Sequence, residues 1–215
     1  MEHKKIRAVI FDMDGVIVDS EIVYMDYLLE FARTKNPKVT MEELNPMVGL
    51  SRKDSWTVME KAINNGENWK ALRDQFSALD IYSQVNYKKI FRPEALSTAK
   101  ELKRRGYEVA LASSTGPKLI ARIMEETGMR PVFDLIVSGK QFAQSKPNPE
   151  IYHYTAKTLG FLEEECFVVE DSTVGIAAAK RANMTVAALR DGRFGFDQSQ
   201  ADYHIDRIDE ILNYL

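Results

Sequence analysis

Two aspartates one residue apart, Asp12 and Asp14, follow the apolar run Ala8-Val9-Ile10-Phe11 and precede Gly15. An unbroken apolar run with β-branched residues reads as a strand covered on both faces, as in a parallel sheet. Sites of open α/β sheets form beyond the carboxyl ends of the strands, which is where these acids stand. On extended backbone Asp12 and Asp14 lie on one side, so both carboxylates can address one point. Two anions so close call for a cation. Oxygen-only ligands favour Mg²⁺, which is often held by one or two carboxylates together with substrate phosphate. The same residues also suit a plain turn, with Gly15 supplying a positive φ.

Other polar groups stand at corresponding places. Ser113-Ser114-Thr115 follows the apolar stretch ending at Ala112, Glu170-Asp171 follows Cys166-Phe167-Val168-Val169, and Lys146 sits in the loop Ser145-Lys146-Pro147. Singly, each has an ordinary explanation: hydroxyls and acids cap helices, and a lone lysine is usually solvated. Jointly they supply what phosphoryl transfer through an aspartyl-phosphate requires. Ser113 and Ser114 with neighbouring N–H groups at a helix start would cradle phosphate. Lys146 would neutralise phosphate and hold the nucleophile's charge. Glu170 and Asp171 would complete an oxygen-only Mg²⁺ site with Asp12. Asp12 would attack phosphorus in line, and Asp14 would protonate the leaving oxygen and then activate water.

The elements that must position these residues alternate between strand and helix. Strands are expected at Ala8–Phe11, Glu108–Ala112, Leu135–Val137, Cys166–Val169 and Thr185–Leu189, with helices between them and an amphipathic helix from Ile208 to Leu215. Asn148-Pro149 predicts an N-cap and a proline in the first helical position. Such alternation means a doubly wound, mostly parallel sheet, an α/β Rossmann-like core. The stretch 17–91 carries only helical patterns: one from Glu21, one opened by the capping box Thr40-Met41-Glu42-Glu43, one from Ser51, and one from Trp69 toward Phe91. It is too long for a single crossover helix. It reads as an inserted helical domain (17–91) within a core of 1–16 and 92–215, a lid excluding water and selecting the leaving group.

The chain has 215 residues, 45% of them hydrophobic and 28% charged, with a net charge of −3. These values suit a globular chain with a good core and give no reason to expect a nucleic-acid partner. No apolar run is long enough to span a bilayer, and the N-terminus lacks signal-peptide character. Cys166 is the one cysteine; it lies in an apolar strand and suits a reducing, cytoplasmic setting. A monomer acting on a small-molecule phosphate ester, away from membranes, is expected.

Phe11-Asp12-Met13-Asp14-Gly15-Val16, the strand ending Leu111-Ala112-Ser113-Ser114, Ser145-Lys146-Pro147 and Val169-Glu170-Asp171-Ser172 occur in the order of the four motifs of the haloacid dehalogenase superfamily. The chain resembles that superfamily over essentially its whole length, and its helical insert is similar to the cap of the subfamily containing β-phosphoglucomutase and many phosphatases. The resemblance implies Asp12 as nucleophile and Asp14 as acid/base. It implies Mg²⁺ on Asp12, the Asp14 backbone carbonyl and Asp171, with Glu170 contributing, and phosphate contacts from Ser113, Ser114 and Lys146.

Haloacid dehalogenases proper lack the second aspartate, so a phosphate ester is the expected substrate. Gly49-Leu50-Ser51-Arg52-Lys53-Asp54-Ser55 is similar to the β-phosphoglucomutase segment whose arginine grips a distal phosphate, making Arg52 a substrate-binding candidate that also suits an exposed first turn. Tyr24 stands where that mutase has a cap histidine, which favours hydrolysis; it also suits an ordinary helix position. A signalling receiver domain also groups acids, a hydroxyl and a lysine, but has neither the helical insert nor an acid pair after the strand at Cys166. The expectation is a Mg²⁺-dependent phosphatase of a small, sugar-like phosphomonoester, with a hexose-phosphate mutase as the alternative.

Overall fold

The computed structural model describes residues 5–48, 50 and 52–215, with Arg52 described by its backbone alone. Six strands form one sheet: β1 (Ala8–Phe11), β2 (Glu108–Ser113), β3 (Leu135–Ser138), β4 (Cys166–Glu170), β5 (Thr185–Leu189) and β6 (Tyr203–Ile205). Their order is β3-β2-β1-β4-β5-β6, and every neighbouring pair is parallel. The apolar runs explain this placement: all four residues of β1 and all five of β4 are buried, as strands covered on both faces must be. One face packs Ile10, Ala112 and Val168 against Tyr152, Ile176 and Ala178.

Register sets the working edge. Phe11 pairs with Leu111 on one side and Val169 on the other. The chain therefore leaves β1, β2 and β4 at nearly the same level. β1 lies between β2 and β4, where the strand order reverses, and that reversal opens the crevice typical of a doubly wound sheet.

The chain divides into two compact units, Met1–Asp19 with Tyr87–Leu215, and Ser20–Asn86. Residues 17–19 and 87–91, expected in the insert, fall in the α/β unit because backbone bonds tie them to one another. Asp19 N–H donates to Ile90 O at 2.8 Å, and Arg92 N–H donates to Ile17 O at 2.9 Å.

The unit Ser20–Asn86 contains α1 (Ser20–Lys35), α2 (Met41–Leu44), α3 (Arg52–Ile63), α4 (Trp69–Ser77) and α5 (Ile81–Gln84). Thr40 and Glu43 form the expected capping box before α2. The single helix expected from Trp69 toward Phe91 is instead two short ones. Asp80 between them has φ 45°, a left-handed conformation that no helix interior accommodates. The core is aromatic: Phe76 lies 5.4 Å from Phe31 and 5.5 Å from Trp56, ring centre to ring centre.

The α/β unit adds α6 (Pro93–Arg104), α7 (Pro117–Glu126), α8 (Glu150–Leu159) and α9 (Thr173–Arg181). α8 begins one residue later than expected: Pro149 takes the cap position, and the Asn148 side chain accepts from Glu150 N–H at 2.9 Å. β6 was not expected, since Tyr203-His204-Ile205 carries no apolar run and only Ile205 is fully buried. The helix expected over Ile208–Leu215 is a 3₁₀ segment, Ile208–Asn213.

Candidate active site

Asp12 is the residue after β1, and its N–H donates to Val169 O at 2.9 Å, stitching the nucleophile candidate to β4. Continuing the alternation of the strand, its side chain takes the face of Ile10, where α8 and α9 pack. It is buried there, only 7% exposed. Lys146, from the loop between β3 and α8, reaches the same point. Its Nζ donates to Asp12 Oδ1 at 2.6 Å, to Glu170 Oε1 at 2.7 Å and to Ala112 O at 3.0 Å. All three bonds of the ammonium are thus made to groups at the ends of β1, β2 and β4.

Glu170 ends β4 and is wholly buried. Oε1 also accepts from Tyr152 OH at 3.0 Å, while Oε2 accepts from Asp171 N–H (3.1 Å), Ser172 N–H (3.2 Å) and Ser172 Oγ (3.1 Å). The Tyr152 ring also lies 4.9 Å from Lys146 Nζ, a cation–π contact. Tyr152 and Ser172 therefore hold the acid that holds the lysine. Tyr152, a lone aromatic on a helix, is not a candidate from the sequence; the signal available is its place six residues after Lys146, at the start of α8.

The ordinary explanations for the polar clusters are answered by the caps. α9 is capped by Ser172, whose Oγ accepts from Gly175 N–H, so neither Glu170 nor Asp171 is consumed as an N-cap. α7 begins after Gly116 with no side-chain cap, so Ser113 and Ser114 do not serve there either. Ser113 is fully buried and its Oγ accepts from Thr115 N–H at 3.1 Å; Ser114 is exposed at the strand end. Asp14 accepts from Thr115 Oγ1 at 2.7 Å.

Asp12, Glu170 and Asp171 place carboxylate oxygens within 4.8 Å of one another. These three buried acids could hold a metal ion. Gly15 makes room for the third: its φ is +78°, and a Cβ there would overlap the Asp171 carboxylate. The local charge is unbalanced, since three carboxylates face one ammonium. Burial, then the carboxylates of Glu170 and Asp14, push the Asp12 carboxyl up to about 8 although Lys146 pulls it down. Burial alone would lower Lys146, yet Asp12 and Glu170 hold it well above its ordinary range, so it stays charged. Burial beside Glu170 likewise keeps the Tyr152 phenol protonated.

The model of the haloacid dehalogenase-like hydrolase family matches residues 9–189, a span that includes every residue of this cluster. The chain belongs to the haloacid dehalogenase-like hydrolases. It is 32% identical over 183 residues to an uncharacterised protein of Lacticaseibacillus casei, covering 85% of this chain and 83% of that one. It is 28% identical over 217 residues to a phosphorylated carbohydrates phosphatase of Thermotoga maritima, covering 97% and 98% of the two chains. Among solved structures, a β-phosphoglucomutase from Clostridium difficile superposes with a TM-score of 0.74 at 22% identity, over 97% of this chain and 95% of that one. The last likeness concerns the fold: one haloacid dehalogenase-like architecture serves more than one reaction.

Tyr24, the other substrate-binding candidate, belongs to the unit Ser20–Asn86. There it stacks on Tyr82 at 5.9 Å and meets Phe76 edge-on at 5.7 Å. With Trp56, Arg73 and Asp80 these rings line a cavity of about 330 Å³. Gly49, Ser51 and the Arg52 side chain lie outside the described residues. Among the described residues, no helix is long and apolar enough to cross a membrane.

Proposed function

We propose that this haloacid dehalogenase-like hydrolase is a Mg²⁺-dependent phosphatase of a small, sugar-like phosphomonoester, working through a phosphorylated Asp12. The observation that carries the reading is the buried cluster itself. With a cation bound and Asp12 ionised, Asp12, Glu170 and Asp171 would bring three negative charges and Lys146 one positive, leaving two that a divalent cation would offset. The donors are all oxygen and the space beside Gly15 admits the Asp171 carboxylate, a set suited to Mg²⁺. Asp12 and Asp171 would hold the ion, with the Asp14 backbone carbonyl and Glu170 completing the set. Bound there, Mg²⁺ would screen the repulsion between Asp12 and an incoming phosphate and stabilise the charge of the transferring group.

The chain's own residues perform the rest. Asp12 attacks phosphorus as the ester P–O bond breaks, and Asp14 gives its proton to the departing oxygen. Asp14, now a carboxylate, takes a proton from water as that water attacks the phosphorus. The P–O bond to Asp12 then breaks, returning both residues to their starting states. Lys146 stays protonated and, with Ser113 and Ser114, receives the phosphate oxygens. Arg52 and Tyr24 are proposed to recognise the rest of the substrate, on the strength of the motif resemblance.

The test follows β-glucose 1-phosphate with Mg²⁺ and a trace of glucose 1,6-bisphosphate, measuring free phosphate and glucose 6-phosphate together. Free phosphate is the expected product. Glucose 6-phosphate with little free phosphate would make the protein a mutase and overturn the proposal. If neither forms, a panel of sugar and polyol phosphates decides, and absence of Mg²⁺-dependent phosphate release across it would refute phosphatase activity.

A further inference from the structure

Outside the metal-and-lysine cluster, one contact joins the acid/base candidate to the residue that follows Ser113-Ser114. Thr115 Oγ1 donates to Asp14 Oδ2 at 2.7 Å. Thr115 is itself fixed twice through its backbone: its N–H donates to Ser113 Oγ at 3.1 Å, and its carbonyl accepts from Ser138 Oγ at 2.6 Å. Ser113 and Ser138 end β2 and β3 and pair directly in the sheet. The Thr115 hydroxyl is therefore carried by two strand ends rather than by a free loop. Asp14 stands just beyond β1, where its backbone bridges to Val18.

We propose that Thr115 is the positioning residue of the acid/base step, fixing the plane of the Asp14 carboxyl so that its proton reaches the departing oxygen. This inference rests on Asp14 being the acid/base group of a phosphatase, as argued above. Hydrogen-bond reach to the proton's destination decides whether such a group works. A carboxyl free to rotate about its side-chain bonds spends much of its time misaligned, and displacement by about 1 Å is enough to cost on the order of a hundredfold. A hydroxyl donor held by two strands restricts that rotation. Thr115→Val would keep the shape and branching of threonine and lose the hydroxyl. Serine would keep the donor.

The chemistry supplies a readout that a merely structural role would not move. An alkyl phosphate releases an alkoxide and needs a proton from Asp14, whereas 4-nitrophenyl phosphate releases an anion stable at neutral pH. For both esters kcat/KM reports the steps up to phosphorylation of Asp12. In Thr115→Val, kcat/KM for the alkyl ester should fall about ten- to a hundredfold relative to that for the aryl ester. Water activation, which also uses Asp14, should slow as well. The variant should therefore show a burst of nitrophenol equal to the enzyme concentration. Thr115→Ser should restore the wild-type ratio, and a crystal structure of Thr115→Val should show the Asp14 carboxyl turned from its wild-type orientation. An equal loss on both esters would make Thr115 a phosphate ligand and overturn the inference. So would an unchanged ratio, or an Asp14 that keeps its place in the variant crystal. A wild-type protein that hydrolyses neither these esters nor any of the sugar and polyol phosphates would instead remove the phosphatase reading itself, while the crystal comparison would still decide whether Thr115 orients Asp14.

Discussion

At the scale of single residues, the cluster is governed by an excess of buried negative charge. One ammonium, Lys146, lies within 2.7 Å of both Asp12 and Glu170, so it cannot fully offset either. The consequence for Asp12 is a carboxyl raised from its ordinary 3.8 to about 8, through burial first and then the charges of Glu170 and Asp14, against the pull of Lys146. Between those two values the folded chain retains a proton that the unfolded chain releases. Stability from this residue is therefore complete below about pH 4 and is lost as pH rises toward 8. In chelator-treated protein, wild type should lose up to about 1.4 kcal/mol per pH unit through that window relative to Asp12→Asn, whose amide does not titrate. Urea unfolding of the two proteins at pH 5, 6 and 7 measures the difference. A constant difference would mean that Asp12 is already ionised in the folded protein.

Strands and helices decide which of these residues could be found from sequence. The apolar runs of β1, β2, β4 and β5 are buried on both faces, and a strand of that kind announces itself. The polar residues that follow such runs stand out for the same reason, which makes Asp12, Ser113, Glu170 and Asp171 legible together. β6 could not be found that way, because an edge strand of three residues needs no apolar run. Tyr152 was hidden because its role lies across the sheet, in a bond to Glu170 that helix periodicity cannot express. The same cross-element packing governs Gly175 in the first turn of α9. Alanine in a helix is ordinarily better than glycine by about 1 kcal/mol, but a Cβ at Gly175 would overlap the Glu170 carboxylate. That carboxylate cannot yield easily, being held by Lys146, Tyr152, Asp171 and Ser172. Gly175→Ala should therefore destabilise by about 1–3 kcal/mol, the usual cost of overpacking. The check is the urea midpoint at unchanged slope. A stabilised variant would show that the acid has room to move.

Across the whole molecule, the polypeptide builds two units with separate cores, one on a parallel sheet and one on the aromatic cluster of Phe31, Trp56 and Phe76. A unit with its own core can in principle unfold alone. The sequence offers a convenient reporter, because its two tryptophans, Trp56 and Trp69, both fall in the unit Ser20–Asn86. Tryptophan fluorescence therefore follows that unit, whereas far-ultraviolet circular dichroism follows helices of both. Phe76 is 3% exposed at the centre of the aromatic cluster, so Phe76→Ala should cost about 3–5 kcal/mol. If the cores are energetically separate, the fluorescence transition of the variant should move to lower urea and part from the later phase seen by circular dichroism. Transitions that stay coincident and shift together would instead mean that the chain unfolds as one cooperative body. The first outcome would also mean that substitutions at Tyr24, which packs on Phe76, leave the stability of the Asp12 cluster untouched, since the two sets of residues would then draw on different cores.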